Sequence, residues 1–75
     1  MRKILSERLL QCRKDAGLTQ AQAAIYSDIT EKAYQNYEAM RREPKLEILI
    51  RIADTFGVSL DYLTGRSNKK ELEKQ

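Results

Sequence analysis

The stretch Thr19-Gln20-Ala21-Gln22-Ala23-Ala24-Ile25-Tyr26-Ser27-Asp28-Ile29-Thr30-Glu31-Lys32-Ala33-Tyr34-Gln35-Asn36-Tyr37-Glu38 holds two helix starts in close succession. Thr19 followed three residues later by Gln22 makes a capping box, in which two side chains satisfy backbone N–H groups of the first turn. Thr30 is suited to cap a second start, and Glu31 behind it meets the positive end of that helix's dipole. Eleven residues separate the two caps, which leaves room for about two turns of helix and a turn of three or four residues. Asp28 falls in that turn, where a left-handed backbone is often needed and a short polar side chain tolerates it better than most. Ala24 suits a place where two helices cross closely.

Working outward, Leu5, Leu9, Cys12 and Ala16 recur at helical spacing and predict a first helix over residues 3–16, stopped by Gly17. Cys12 reads as a small apolar core residue rather than a redox thiol, and Leu10 points off the stripe. The paired helices follow over 20–26 and 31 to about 39, with a loop at 41–44 because Pro44 pushes Glu43 out of helical geometry. A fourth helix is expected over 46–56, with Leu46, Leu49, Ile50, Ala53 and Phe56 facing inward and Gly57 ending it. Ser59 then caps a short helix at 60–63, helped by Asp61 in its first turn. Residues 66–75 carry one apolar residue and are expected to fray or form a loose helix. The architecture is all-α, a bundle of five helices in a domain of residues 1–65 followed by a charged tail at 66–75.

Seventy-five residues allow one domain around one small core. The net charge of +3, from 14 Lys and Arg against 11 Asp and Glu, and a pI near 9.2 suit an anionic partner without demanding one. The excess is spread out: residues 1–18 carry five positive and two negative charges, residues 30–45 four positive and three negative. One cysteine makes no internal disulfide, no His or Cys cluster is present to hold zinc, and no cofactor is implied. No apolar run approaches membrane-spanning length and charges sit close behind the N-terminal apolar pair, so the expectation is a cytoplasmic protein with no membrane partner.

The specific signal lies in the flanks of the helix pair. Arg13, Gly17-Leu18-Thr19-Gln20, Tyr37-Glu38, Arg42-Glu43-Pro44, Leu46, Ile52-Ala53 and the run from Gly57 to Gly65 together resemble the phage-repressor and Cro-type helix-turn-helix family, the lambda-repressor-like fold. The resemblance runs from about Leu5 to Gly65 without gaps. There are departures. Asp28 and Met40 stand where the family usually has glycine, Ala23, Ser27 and Cys12 where it usually has leucine, Tyr34 where it has isoleucine, and Ala39 where a polar residue is common. Met40 implies either a strained residue or a helix running on for part of a turn, and the second reading is preferred here. Two large-to-small changes opposite one small-to-large change look like volume conservation, so Tyr34 is expected to be buried beside Ala23 and Ser27.

What the resemblance implies is a second motif helix lying in the major groove of double-stranded DNA. Glu31, Lys32, Gln35 and Asn36 would then meet base edges. Asn bonds adenine at two points, Lys reaches guanine acceptors or a phosphate, and Glu accepts from a cytosine amino group. A solvated helix face would show the same residue types, and Glu31 near phosphates costs affinity. Gln20 and Thr30 at the helix starts, with Arg41, Arg42 and Lys45 on the following loop, match phosphate-contacting positions. Arg13 and Glu38 match a family pair that joins the first helix to the end of the reading helix by a salt bridge.

The expected function is sequence-specific DNA binding by a transcriptional regulator, most simply a repressor. One reading helix touches few bases, so a homodimer on an inverted-repeat operator is expected. Its interface is placed at Leu60, Tyr62 and Leu63, with Ile48 and Leu72 as further candidates. The alternative is a helix-turn-helix domain that binds a protein, as an antitoxin or antirepressor does, which the near-balanced charge of the reading helix keeps open. Without histidine, a glycine-rich phosphate loop or a supported nucleophile–base pair, an enzyme is not expected, and no small-molecule ligand is evident.

Overall fold

A computed structural model describes residues 2–71 and folds them into α1 (Arg2–Asp15), α2 (Gln20–Tyr26), α3 (Glu31–Glu38), α4 (Leu46–Phe56) and α5 (Leu60–Thr64). No strand occurs among the described residues. The all-α reading therefore stands, with five helices in the expected order. Leu72 lies outside the described residues.

Local chemistry sets most of the starts. The Thr19 hydroxyl accepts from the Gln22 N–H at 3.1 Å while the Gln22 side chain accepts from the Thr19 N–H at 2.9 Å, a complete capping box. Thr30 accepts from Ala33 N–H at 3.1 Å and Ser59 from Tyr62 N–H at 3.0 Å. Among the helices whose N-cap residue is described, α4 alone starts without a side-chain cap, its N-cap residue being Lys45.

All five helices end the same way, with an N–H beyond the helix reaching back five residues to a carbonyl of the last turn. These bonds are Leu18 to Arg13, Ile29 to Ala24, Arg41 to Asn36, Val58 to Ala53 and Arg66 to Asp61, between 2.8 and 3.0 Å long. The motif needs a left-handed residue just before the donor, and the chain places Gly17, Asp28, Met40, Gly57 and Gly65 there. Asp28 behaves as expected. Met40 does not continue the helix: at φ 65° it makes the left-handed turn itself, and with its side chain 47% exposed little packing offsets the strain.

The main core gathers Leu5, Leu9 and Cys12 of α1, Tyr37 of α3, Leu49, Ile52 and Ala53 of α4, Val58, and Tyr62 and Leu63 of α5. A smaller cluster joins Ala23 and Ala24 of α2 to Tyr34 of α3, which is fully buried as expected. Ser27 is buried too, but its hydroxyl pairs with that of Thr55 on α4 at 2.9 Å. The inward face of α4 differs from the expected one. Leu46 is 68% and Ile50 41% exposed, while Ile52 takes the fully buried position. At 100° per residue Leu49 lies between Ile52 and Ala53 on the wheel, and Leu46 and Ile50 lie off that arc. Ala16 likewise falls just past the end of α1 and is exposed.

The described part of the tail lies against the helices. Arg8 donates to the carbonyls of Tyr62 and Ser67 and to the Asn68 side chain, and its guanidinium lies 4.1 Å from the centre of the Tyr62 ring. The Ser59 N–H donates to the Lys70 carbonyl at 2.7 Å, and the Lys70 ammonium pairs with Asp15 at 3.5 Å. Residues 66–70 thus run back as a strap over α1 and α5.

Met40→Gly should stabilise the fold by about 0.5 to 1 kcal/mol, since relief of the left-handed strain exceeds the added freedom of the unfolded chain. In a domain this size that is a rise of roughly 2 to 8 °C in Tm, read by circular dichroism. Gly65→Ala should lower Tm more than Gly57→Ala, because a Cβ at 65 would sit 2.8 Å from the Ile4 side chain whereas one at 57 meets nothing within 4 Å.

Candidate nucleic-acid interface

The inward side of α3 is fixed by Tyr34 and Tyr37, three residues apart and both buried, with Ala33 partly covered beside them. That leaves an outward face made of Glu31, Lys32, Gln35 and Asn36. Glu31 and Lys32 are exposed, and Gln35 and Asn36 are half-exposed. The structure therefore brings the four expected base-facing residues onto one side of one helix.

What holds this face in place lies at the other end of α3. Arg13 Nε donates to Glu38 Oε2 and Arg13 Nη2 to Glu38 Oε1, both at 2.9 Å, and Arg13 Nη1 donates to the Leu18 carbonyl at 3.0 Å. The two side chains are 17% and 7% exposed, so the pair is largely out of water. Burial on its own pushes the Glu38 carboxyl up, but the hydrogen bonds from Arg13 and then Tyr34, with Gln20 adding to them, outweigh it and hold the carboxyl below its ordinary 4.5. The hydrogen bond to Glu38 raises Arg13 above its ordinary value despite its desolvation. Burial likewise drives the Tyr34 phenol far up, so it stays neutral, its hydroxyl 3.4 Å from the Leu9 carbonyl. Ser6 donates to the carbonyl of Glu38, giving α1 a second hold on the end of α3.

Thr30, Lys32, Ala33, Asn36, Tyr37 and Arg42 line an open groove of about 330 Å³ beside α3. Lys32, Asn36, Thr30 and Arg42, expected in two separate roles, thus share one concavity. Arg41 does not line the groove but reaches its edge, with Nη1 3.4 Å from Asn36 Oδ1. Gln20 is drawn into the central tie, donating from its side chain to Glu38 at 3.3 Å, which leaves its other amide hydrogen and its carbonyl for any further contact. Lys45 stands exposed at the start of α4, outside the groove.

The residues placed at an apolar surface are elsewhere than expected. Leu63 is fully buried and Tyr62 nearly so within this chain's own core, and Leu60 packs against it. The five-residue helix fits its side chains between α1 and α4, so its apolar count is consumed internally. Ile48 is also partly buried against the core. Cys12 is a core residue as expected, with burial raising its thiol. Sequence reading missed Ser6 and also Arg51, which donates to the Asp28 carbonyl at 3.1 Å and pairs with its carboxylate at 3.6 Å, clamping the turn between α2 and α3. Neither contact has a local signal, since 32 and 23 residues separate the partners.

Comparison with known proteins gives a consistent picture. A family model described as "Helix-turn-helix" matches residues 9–63. An uncharacterized HTH-type transcriptional regulator of Bacillus subtilis, YqaE, is 47% identical over 68 residues, covering 89% of this chain and 59% of that protein. The HTH-type transcriptional regulator ImmR of the same organism is 36% identical over 72 residues, covering 92% and 57%. The cryptic phage CTXphi transcriptional repressor RstR of Vibrio cholerae is 40% identical over 62 residues, covering 83% and 55%. The chain thus spans a little over half the length of these relatives. No solved structure matches it significantly.

Arg13→Met or Glu38→Leu alone should each cost about 3 to 5 kcal/mol by leaving a lone buried charge, and the double change should harm less than either. Thermal melts of the four proteins check this. Because Glu38 is held below its ordinary 4.5, the stability it contributes is complete at neutral pH and is lost as pH falls through the folded value. Melts taken down through the carboxylate range should lack that component in Glu38→Gln.

Proposed function

This chain belongs to the helix-turn-helix family whose model matches residues 9–63, and we propose that it is a sequence-specific regulator of transcription that lays α3 in the major groove of double-stranded DNA. The observation that carries this reading is the outward face of α3. Four polar side chains able to bond base edges stand on a helix that its own core and the Arg13–Glu38 pair hold rigidly. Eight residues of helix are about 12 Å long, a length that the major groove admits. Thr30, Arg42 and Lys45 flank that face as phosphate contacts, and Gln20 meets phosphate with its backbone N–H at the start of α2. Relatives named as transcriptional regulators, and one as a transcriptional repressor, support repression as the outcome. The site of action is the cytoplasm; no helix among the described residues is long and apolar enough to cross a membrane.

The regulator acts as a homodimer on an inverted repeat. Burial of Tyr62 and Leu63 moves the contact away from α5; Ile25 and Tyr26 on α2 are exposed as well, and the contact is placed at Leu46 and Ile50, one turn apart on α4. α4 follows directly on the loop leaving α3, so a two-fold contact there brings two α3 helices to one side of the dimer. Such a pair can address half-sites about one helical turn, roughly 34 Å, apart.

Titration of a selected and a random duplex at two salt concentrations tests the reading. Arg42→Ala and Lys45→Ala should weaken both duplexes alike and make the salt dependence shallower by about one unit per contact. Asn36→Ala should cost about 1 to 3 kcal/mol on the selected duplex, far less on random DNA, with the salt slope kept. Equal effects on both duplexes would remove sequence reading, and no effect on either would transfer the chain to the protein-binding alternative.

Leu46→Glu with Ile50→Glu should abolish the dimer in sedimentation while changing stability by no more than about 0.5 kcal/mol, as fits exposed positions. A dimer that survives the double change would send the interface to another face.

A further inference from the structure

An amide side chain normally offers a base both an acceptor and a donor, which is why a free asparagine suits adenine. On α3 two neighbours remove half of that choice. Arg41 Nη1 lies 3.4 Å from Asn36 Oδ1, and a guanidinium has no acceptor, so only the amide oxygen is able to face it. The two N–H groups of Asn36 then point outward, beside the ammonium of Lys32 four residues earlier. Gln35 Nε2 lies 3.1 Å from Glu31 Oε2, and a carboxylate only accepts, so Gln35 must turn its NH2 toward Glu31. Its carbonyl oxygen and the second Glu31 oxygen are left to face the solvent.

The outward face therefore carries two stripes of opposite polarity, donors at Lys32 and Asn36 and acceptors at Glu31 and Gln35. Residues 31 and 32, and again 35 and 36, are about 100° apart around the helix, so the stripes run side by side. A guanine–cytosine pair shows two acceptors on guanine, N7 and O6, followed by the N4 amino donor of cytosine. An adenine–thymine pair shows acceptor, donor, acceptor. Against that pattern the outward N–H groups of Asn36 meet the adenine amino group without an acceptor, and the Glu31 carboxylate faces thymine O4.

We propose that α3 reads a guanine–cytosine pair, Asn36 with Lys32 on the guanine and Glu31 with Gln35 on the cytosine, and that Arg41 sets this choice by occupying the Asn36 oxygen. The proposal rests on the DNA-reading function above and makes Arg41 a positioning residue.

The test starts with the unmodified protein and a randomised duplex library. Enriched half-sites should hold a guanine–cytosine pair at the position where Asn36→Ala relaxes preference, and 7-deazaguanine there should weaken binding on the order of tenfold. Arg41→Met frees the amide oxygen and should move that position toward adenine. Glu31→Gln should relax the cytosine preference while improving binding to random DNA. Enrichment of an adenine–thymine pair at that position overturns the assignment but keeps the DNA-reading function. Arg41→Met that weakens every duplex alike, with preference unchanged and a shallower salt slope, also overturns it and makes Arg41 a phosphate contact. No enrichment of any sequence fails the proposed function itself.

Discussion

The Arg13–Glu38 pair is the contact through which the rest of the molecule presents α3. It joins the last turn of α1 to the last residue of α3, and through Leu18 and Gln20 it also fixes the entry to α2. Two parallel N–H to oxygen bonds set orientation as well as distance, so α3 is constrained in rotation about its axis as well as in position. Such a pair adds little net stability over a packed apolar substitute, because both charges lose water. Its value lies in geometry: a rotation of α3 by even part of one residue's 100° would exchange which side chains face outward.

Around this tie the two motif helices approach closely because α2 brings only small side chains to the crossing. Ala23 and Ala24 leave space that Tyr34 fills, and Ser27 turns its hydroxyl to Thr55 rather than leaving it unpaired. The arrangement links α2, α3 and α4 with one aromatic ring and one hydroxyl pair. Arg51 then spans from α4 to the turn at Asp28, holding the left-handed residue on which the angle between α2 and α3 depends.

Much of this was legible because the deciding chemistry is local. Caps at Thr19, Thr30 and Ser59 and stops at Gly17, Gly57 and Gly65 can be read from neighbouring residues, and they bound the helices to within about one residue. Burial of Tyr34 was legible as a volume argument, and the outward face of α3 through the family resemblance, position by position. Other features were not. α4 carries apolar side chains at Leu46, Ile48, Leu49, Ile50, Ile52, Ala53 and Phe56, over a little more than half of its circumference, so periodicity alone does not say which part of that broad arc faces inward. Tyr62 and Leu63 looked surplus because sequence does not show how much core a five-residue helix can reach. Arg8, Ser6 and Arg51 act across 23 to 60 residues through polar contacts that leave no spacing signal. Met40 hid its turn because the left-handed site lacks the glycine that would have marked it.

The charge balance of residues 30–45 follows a division of labour that this geometry permits. Phosphates attract any cation on any sequence, so a strongly basic reading helix would raise affinity for all DNA together and narrow the gap between right and wrong sites. Here the cations free to meet phosphate, Arg42 and Lys45, lie past the end of α3, and the helix face itself carries Glu31 against Lys32. An acid in that position lowers binding wherever it finds no amino group and recovers the loss only where it does. Under the proposed function the repulsion that makes Glu31 look unsuited to a DNA surface is then a contribution to specificity, with the Gln35 amide, 3.1 Å away, holding one oxygen of that carboxylate in place.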